Sequence, residues 1–251
     1  MIVRTEAIVL RRMDYGETSQ IVTLFTREKG RLAVMAKGAR LPKSRFGSSL
    51  QPMSYMQAVL YYKASRGLQT LTESAHVRHF ARIGSNLKKL SVGQRVMELT
   101  YALLHEEEAN PLVFNLLVET LYQLNDAEAR ATNLLLCFQL RLASALGFAP
   151  AIDRASIEAL TDDGGRLALE RGAVLPLLSD AHQGGLRASR TALRAFAILA
   201  RADLDTVMRM RIARETYAEV DTLVEAYLRY HVQDAYPGRG SRVTDQLLGA
   251  S

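Results

Sequence analysis

The spacing of apolar residues changes once along this chain, and that change constrains the fold more than any other feature. Over the first eighty residues the apolar positions fall in short runs suited to strands, separated by glycine-bearing turns. Ile2–Arg11 is rich in β-formers and leads into a turn at Asp14-Tyr15-Gly16. Ser19–Thr26 is apolar on both alternating sides, as a buried strand is. Glu28-Lys29-Gly30 fits a short hairpin connection with glycine in a left-handed position. Arg31–Lys37, Met53–Tyr62 and Leu68–Ala75 complete five strands, with a long irregular crossing over Ala39–Ser49. Five short strands with a long connection after the third predict a small closed barrel of the OB type.

Past residue 82 the spacing becomes helical. Leu87, Leu90, Val96, Leu99 and Leu103 share one helix face. Asn110-Pro111 is a helix start: asparagine caps, and proline gives up an amide that has no partner in the first turn anyway. That helix is expected to reach about Leu124, with Asp126 capping the next. The next carries Leu134, Leu135, Phe138, Leu142 and Leu146, and stops at Gly147 before Pro150. Residues 148–187 have a different texture, with Asp162-Asp163-Gly164-Gly165, Gly172, Pro176 and Gly184-Gly185, and read as a loop or small hairpin insert. Ser189 caps a helix to about Ala202, and a last helix covers about Ala213–Asp234. The expected organisation is an α+β chain: an OB-fold at 1–80, then an all-helical domain at 81–251 that holds the insert.

Charge is divided between these parts. Residues 1–82 hold fourteen cations and five anions, net +9, whereas the remainder is net −3, so that the whole chain is +6. A basic barrel joined to a mildly acidic domain suggests one module that meets a polyanion and one that meets other partners; a solvated basic surface is the alternative. Lys37, Arg40, Lys43 and Arg45 crowd the crossing after the third strand. Arg11, Arg12, Lys63 and Arg66 lie in or beside other turns. Cations in barrel loops can follow a phosphate backbone, and aromatic rings can stack bases. Tyr15 in the first turn is the candidate ring; Tyr55, Tyr61 and Tyr62 lie in the fourth strand, where alternation lets only one of Tyr61 and Tyr62 face inward.

Little points to catalysis. The chain lacks a GxxxxGK[ST] phosphate loop, a GxSxG elbow and HExxH. The single cysteine, Cys137, lies in an apolar helical run and reads as a small buried hydrophobe; a reducing compartment fits it. His76 and His79 have no third ligand nearby, and Glu106-Glu107-Glu108 reads as a solvated helix end. No apolar run approaches the roughly 18 residues of a membrane span. No metal, cofactor or membrane partner is expected.

Specific residues then bring in a family. Arg4-Thr5-Glu6-Ala7-Ile8-Val9-Leu10, Asp14-Tyr15-Gly16-Glu17-Thr18-Ser19, Thr23-Leu24-Phe25-Thr26 with Gly30, and Ala36-Lys37-Gly38-Ala39-Arg40 with Lys43-Ser44-Arg45 together resemble the N-terminal domain of the RecO family. Phe138-Gln139-Leu140-Arg141-Leu142, Leu146-Gly147-Phe148-Ala149-Pro150, Tyr227-Leu228, Tyr230-His231 and Ser241-Arg242 are similar to its central helix, helix exit and C-terminal end. The resemblance implies a bacterial, cytoplasmic, nucleoid-associated DNA repair protein without enzymatic activity. It implies binding of single- and double-stranded DNA, annealing of complementary strands, and work with RecR, in some cases RecF, to load RecA onto DNA covered by single-stranded-DNA-binding protein (SSB). It adds Arg242 to the DNA-binding set. It also implies a helical-domain groove for the acidic, apolar tail of SSB. Arg141 is the first candidate for its cation and Arg130 the second, with a purely structural role for Arg141 equally open. Many relatives carry a four-cysteine zinc knuckle after the helix exit. Here the matching positions are about Ala155, Glu158, Pro176 and Ser179, so the insert is expected to be metal-free, with Asp162-Asp163-Gly164-Gly165 as a hairpin turn. The alternative to a DNA mediator is an OB-fold RNA-binding or adaptor protein with a helical interaction domain.

Overall fold

The computed structural model describes residues 1–177 and 185–237. The chain forms two compact units, one of Met1–Asn86 with Gly93–Asn125, the other of Leu87–Val92 with the chain from Asp126 onward.

In the first unit, β1 (Ile2–Tyr15), β2 (Ser19–Thr26), β3 (Gly30–Ala36), β4 (Tyr55–Tyr61) and β5 (Leu68–Arg78) close into a barrel. The order is β1-β2-β3-β5-β4, closed by β1 against β4, with β3 and β5 parallel. This is the expected OB architecture. β1 outruns the strand expected from sequence, because Asp14 and Tyr15 still pair with Gln20 and Ser19. The turn is therefore Gly16-Glu17-Thr18. A bulge between Val9 and Arg11 in β1 bends the strand around the barrel.

Inward residues such as Val22, Leu24, Val34 and Leu60 fill the barrel. The crossing after β3 closes one opening. It is a string of three-residue turns, with amides of Leu41, Ser44 and Gly47 donating to carbonyls of Gly38, Leu41 and Ser44. It ends in a short 3₁₀ helix at Gly47–Leu50, which sets Phe46 and Leu50 into the barrel core. Outside the barrel, Phe25 points away from the core yet is fully buried. It meets Phe114 of α3 (Pro111–Asp126), ring centroids 5.6 Å apart, and Tyr55 meets the same ring at 6.3 Å. That explains why β2 is apolar on both sides. Asn110 Oδ1 accepts the Val113 amide at 3.0 Å, capping α3 as its sequence predicts. Gly30, at φ +67°, could not be replaced without strain, and a β-carbon there would enter the Glu108 backbone.

The unit also holds the short α1 (Ala81–Gly84) and the greater part of α2 (Leu87–Leu103). The second unit is organised by α4 (Ala131–Ala145), which is apolar around nearly its whole circumference and buried from Leu134 to Leu140. α6 (Arg190–Arg201), α7 (Leu204–Arg209) and α8 (Arg214–Val232) surround it. Asp126 does not cap α4, contrary to expectation: it ends α3, and the N-cap position is Arg130 in a left-handed conformation without a side-chain cap. α4 stops where expected. Gly147 is at φ +96°, and the amides of Phe148 and Gly147 return to the carbonyls of Ala143 and Ser144, the Schellman pattern.

The insert is more ordered than a loop. α5 (Arg154–Glu158), capped by Asp153, precedes β6 (Gly164–Ala168), β7 (Ala173–Leu175) and β8 (Leu186–Ser189), in the sheet order β7-β6-β8. Gly164-Gly165 is not the hairpin turn; it begins β6, and the turn lies at residues 169–172. Both glycines serve close approach, since β-carbons there would press on the carbonyl oxygens of Ala188 and Leu175 at 2.6 and 2.9 Å. Ser189 caps α6, its Oγ accepting the Ala192 amide, as its sequence predicts. Among the described residues no helix is long and apolar enough to cross a membrane.

Candidate nucleic-acid interface

The crossing after β3 and the β1–β2 turn occupy the same end of the barrel, because Gln20 pairs with Ala36 and the Arg40 amide donates to Thr18 O at 2.9 Å. Arg40 binds the two together. Its Nη1 donates to Gly16 O at 3.0 Å and its Nε lies 3.4 Å from Asp14 Oδ2. Asp14 in turn accepts from Gln20 Nε2 at 3.0 Å, closing the inner face of the hairpin with polar groups. Lys37, Lys43 and Arg45 are exposed and have no ion pair among the described residues; the Arg45 guanidinium rests 5.1 Å from the Phe46 ring centre. The four cations expected to act alike thus divide into three free charges and one clamp.

Arg11 and Arg12 point to opposite sides of β1, as alternation requires. Arg11 lies 4.5 Å over the Tyr101 ring, and Arg31 lies over the same ring at 4.6 Å. Arg11, Met13 and Tyr15 are on the outer face of β1, with Tyr15 55% exposed beside the turn. Tyr55 is otherwise employed: its hydroxyl donates to Glu6 Oε1 at 2.7 Å, and burial, with the Glu6 carboxylate, pushes its pKa up to about 12. Arg27 Nε holds the other Glu6 oxygen at 2.6 Å. Burial opposes Glu6 ionisation, but Tyr55 and Arg27 outweigh it and hold the carboxyl below its ordinary value. Tyr61 faces outward at 50% exposure, and Tyr62 is the inward one, against the barrel core.

Lys63 and Arg66 are exposed in the β4–β5 loop. β5 begins with Leu68 beside Ala33, so this loop borders β3 along its length, away from the end that carries Lys37–Arg45. Gln69 shapes it: Oε1 accepts the Lys63 amide at 2.9 Å, and Nε2 donates to the carbonyls of Lys63 and Arg66. The sequence reading missed Gln69; a glutamine at an inward strand position beside a turn is the signal that marks it. His76 and His79 sit with ring centres 5.5 Å apart, and Ser48 Oγ lies 3.0 Å from His76 Nε2. Burial, and then His79, lowers the His76 pKa. Arg242 lies outside the described residues.

Exposed cations thus stand at two places on a closed OB barrel, the crossing after β3 and the β4–β5 loop, with Tyr15 exposed beside the first. Two family models cover nearly the whole chain: recombination protein O N terminal matches residues 1–80, and recombination protein O C terminal matches residues 84–239. The chain belongs to the recombination protein O (RecO) family. Among its relatives, the DNA repair protein RecO of Salinibacter ruber is 55% identical over 99% of this chain and 95% of its own length. The protein of the same name from Chloroherpeton thalassium is 31% identical over 99% and 100%, and that of Symbiobacterium thermophilum 32% over 89% of each.

The expected groove cations of this RecO-family chain are engaged with backbone. Arg141 Nη2 donates to Ala202 O at 2.6 Å, at the C-terminal end of α6. Arg130 Nη1 donates to Met208 O at 3.1 Å, and Asn133 Nδ2 to Val207 O and Met210 O at 3.1 Å each, at the end of α7. These contacts satisfy helix-end carbonyls. The zinc knuckle of many relatives does not fit. Ala155 and Glu158 lie exposed on α5, and Glu158 already accepts from Arg154 Nε at 2.6 Å; Pro176 offers no ligand, and Ser179 lies outside the described residues. Hydrogen bonds hold the insert instead. Arg190 Nη2 donates to Leu160 O at 2.5 Å and Asp162 O at 2.6 Å, and Glu219 accepts from the Ser189 amide and hydroxyl at 2.6 Å each.

Proposed function

We propose that this chain acts in DNA repair as a recombination mediator without catalytic chemistry of its own. It binds single- and double-stranded DNA through the barrel, anneals complementary strands, and with RecR helps to load RecA onto SSB-coated single strands. The observation that carries this reading is the set of exposed cations Lys37, Lys43 and Arg45 on one crossing of an OB barrel, in a chain of the RecO family. Each can displace a condensed counterion from DNA, which supplies affinity without regard to sequence. Arg11 and Arg12 extend the contact, Lys63 and Arg66 add a second basic place on the barrel, and Tyr15 offers a face for a base. Strands neutralised on such a surface repel each other less and pair sooner. The helical unit serves protein partners, among them the SSB tail and RecR.

A strand-annealing assay with SSB-coated complementary oligonucleotides tests this. The expected result is faster annealing by the wild-type chain, with the gain falling steeply as salt rises. Failure to bind either DNA form, or a salt-independent interaction, would exclude the reading. A preference for matched RNA would transfer it to the RNA-binding class, because the 2′-hydroxyl is what separates the two.

A further inference from the structure

We infer that the outer face of the β7-β6-β8 sheet is a second phosphate-binding surface, in which Arg166 and Arg187 grip the phosphodiester backbone of a DNA strand. The inference rests on the DNA-binding reading above and adds a site on the other unit, which its net charge had not marked. Arg166 of β6 stands directly opposite Arg187 of β8 and opposite Leu175 of β7. Directly opposed residues on antiparallel strands share a face, with Cβ atoms about 4.5–5.5 Å apart. The alternate residues Gly165, Leu167 and Ala188 are buried, so the arginines are on the outer face.

Like charges placed opposite each other repel, and a carboxylate between them is the usual relief. Among the described residues neither guanidinium has an ion pair or a hydrogen bond. Arg166 Nε is moreover buried without an acceptor. A buried donor left unmet and an unrelieved repulsion both act against folding, and one anion with several oxygens answers both. The neighbouring rows hold Gly164 with Ser189, and Ala168 with Ala173. Neither row puts a charged side chain of its own strands beside the pair, and Glu219, at the first row, is taken up by the Ser189 amide and hydroxyl. A planar guanidinium meets phosphate oxygens two at a time, and two such forks side by side can hold a single phosphodiester from both sides. A chain that anneals must hold two strands, and a site on each unit provides for both.

The test uses the full-length chain, as wild type, Arg166→Gln/Arg187→Gln and Arg187→Glu. In chloride buffer both variants should melt no lower than wild type, because each removes the repulsion. Inorganic phosphate at matched ionic strength should raise the wild-type midpoint more than that of either variant. On a single-stranded oligonucleotide the slope of log K against log salt should flatten by about 0.7 for each lost phosphate contact. Wild type that binds DNA, with the double variant unchanged in slope, would overturn the second surface while leaving the barrel reading intact. Wild type that binds no DNA would overturn both. Equal binding of oligonucleotide by wild type and variants, with loss of poly-glutamate binding in the variants, would assign the pair to an acidic protein and overturn the inference. Asp180 lies outside the described residues, so Asp180→Asn is the needed control: a fall in midpoint that disappears in the Arg166→Gln/Arg187→Gln background would make it the natural counter-ion and overturn the inference too.

Discussion

Replacing Lys37, Lys43 and Arg45 together with alanine should separate phosphate contact from folding. Each side chain is exposed and has no ion pair among the described residues, so each contributes within about half a kcal/mol to stability. Three lost phosphate contacts should flatten the slope of log K against log salt by about 2.1 on single strands and about 2.7 on duplex. Between 50 and 200 mM salt, the gap in affinity between wild type and variant should therefore close by about 18-fold on single strands and about 40-fold on duplex. Arg40→Ala should behave differently. It loses the hydrogen bond to Gly16 O and the half-exposed pair with Asp14, which stabilise by about 1 kcal/mol once solvent screening is allowed for. Its melting midpoint should fall by about 2–4 °C, while the triple variant stays near wild type. Fluorescence anisotropy over a salt series, with circular dichroism melts, measures both. A triple variant that remains folded and keeps the wild-type slope on both DNA forms would refute the assignment and shift attention to Lys63, Arg66 and Arg12.

Other outcomes can be read from the same packing. A fragment ending at residue 80 should expose Phe25 and Tyr55, which Phe114 covers, so it should aggregate or melt far below a fragment ending at residue 125; analytical gel filtration and thermal melts compare them. Purified protein should contain no stoichiometric zinc and its midpoint should not move with a chelator; one zinc per chain by elemental analysis would contradict the hydrogen-bonded insert. Glu6 has a lowered pKa, opposed by burial but carried by Tyr55 and Arg27, so its stabilising contribution is present above the ordinary carboxyl value of 4.5 and is lost as pH falls through the lower folded value. Glu6→Gln should therefore melt lower than wild type at neutral pH and lose less stability between about pH 5 and pH 3 in a midpoint-against-pH series.

The fold was legible wherever one residue decides a local geometry. Asn110-Pro111, Ser189 and Gly147 mark helix ends through atoms within four residues, and each end is where its sequence puts it. Strand spacing gave the barrel because alternation reports two faces directly. Asp126 misled because a cap can be read into any acid before an apolar run, while Arg130 holds that corner by donating to Met208 O, a partner far along the chain. Gly164-Gly165 misled for a related reason. A glycine pair signals a turn or a close approach equally well, and only the neighbouring strands Leu175 and Ala188 decide between them. The change from strands to helices at residue 80 is likewise local, whereas the compact units depend on Phe114 reaching Phe25.

The same distinction governs the charges, and it bears on function more than their number does. A net charge of +9 over residues 1–82 counts every cation alike. The structure divides them by the acceptors within reach. Arg27 is held by Glu6 and donates to Asn115 at 2.8 Å; Arg31 lies over Tyr101 and within 3.6 Å of Glu106; Arg40 ties a turn to a crossing. All three use the planar fork of arginine on fixed partners, as Arg130, Arg141 and Arg190 do on carbonyls of the helical unit. Lys37, Lys43 and Lys63 have no such partner among the described residues, and lysine, a point charge on a flexible stem, suits a ligand whose phosphates arrive in no fixed register. Arg166 and Arg187 break this division: two forks with no ion pair or hydrogen bond among the described residues, opposed on one sheet. An arginine pair left in that state is built for an anion that comes from outside the described chain.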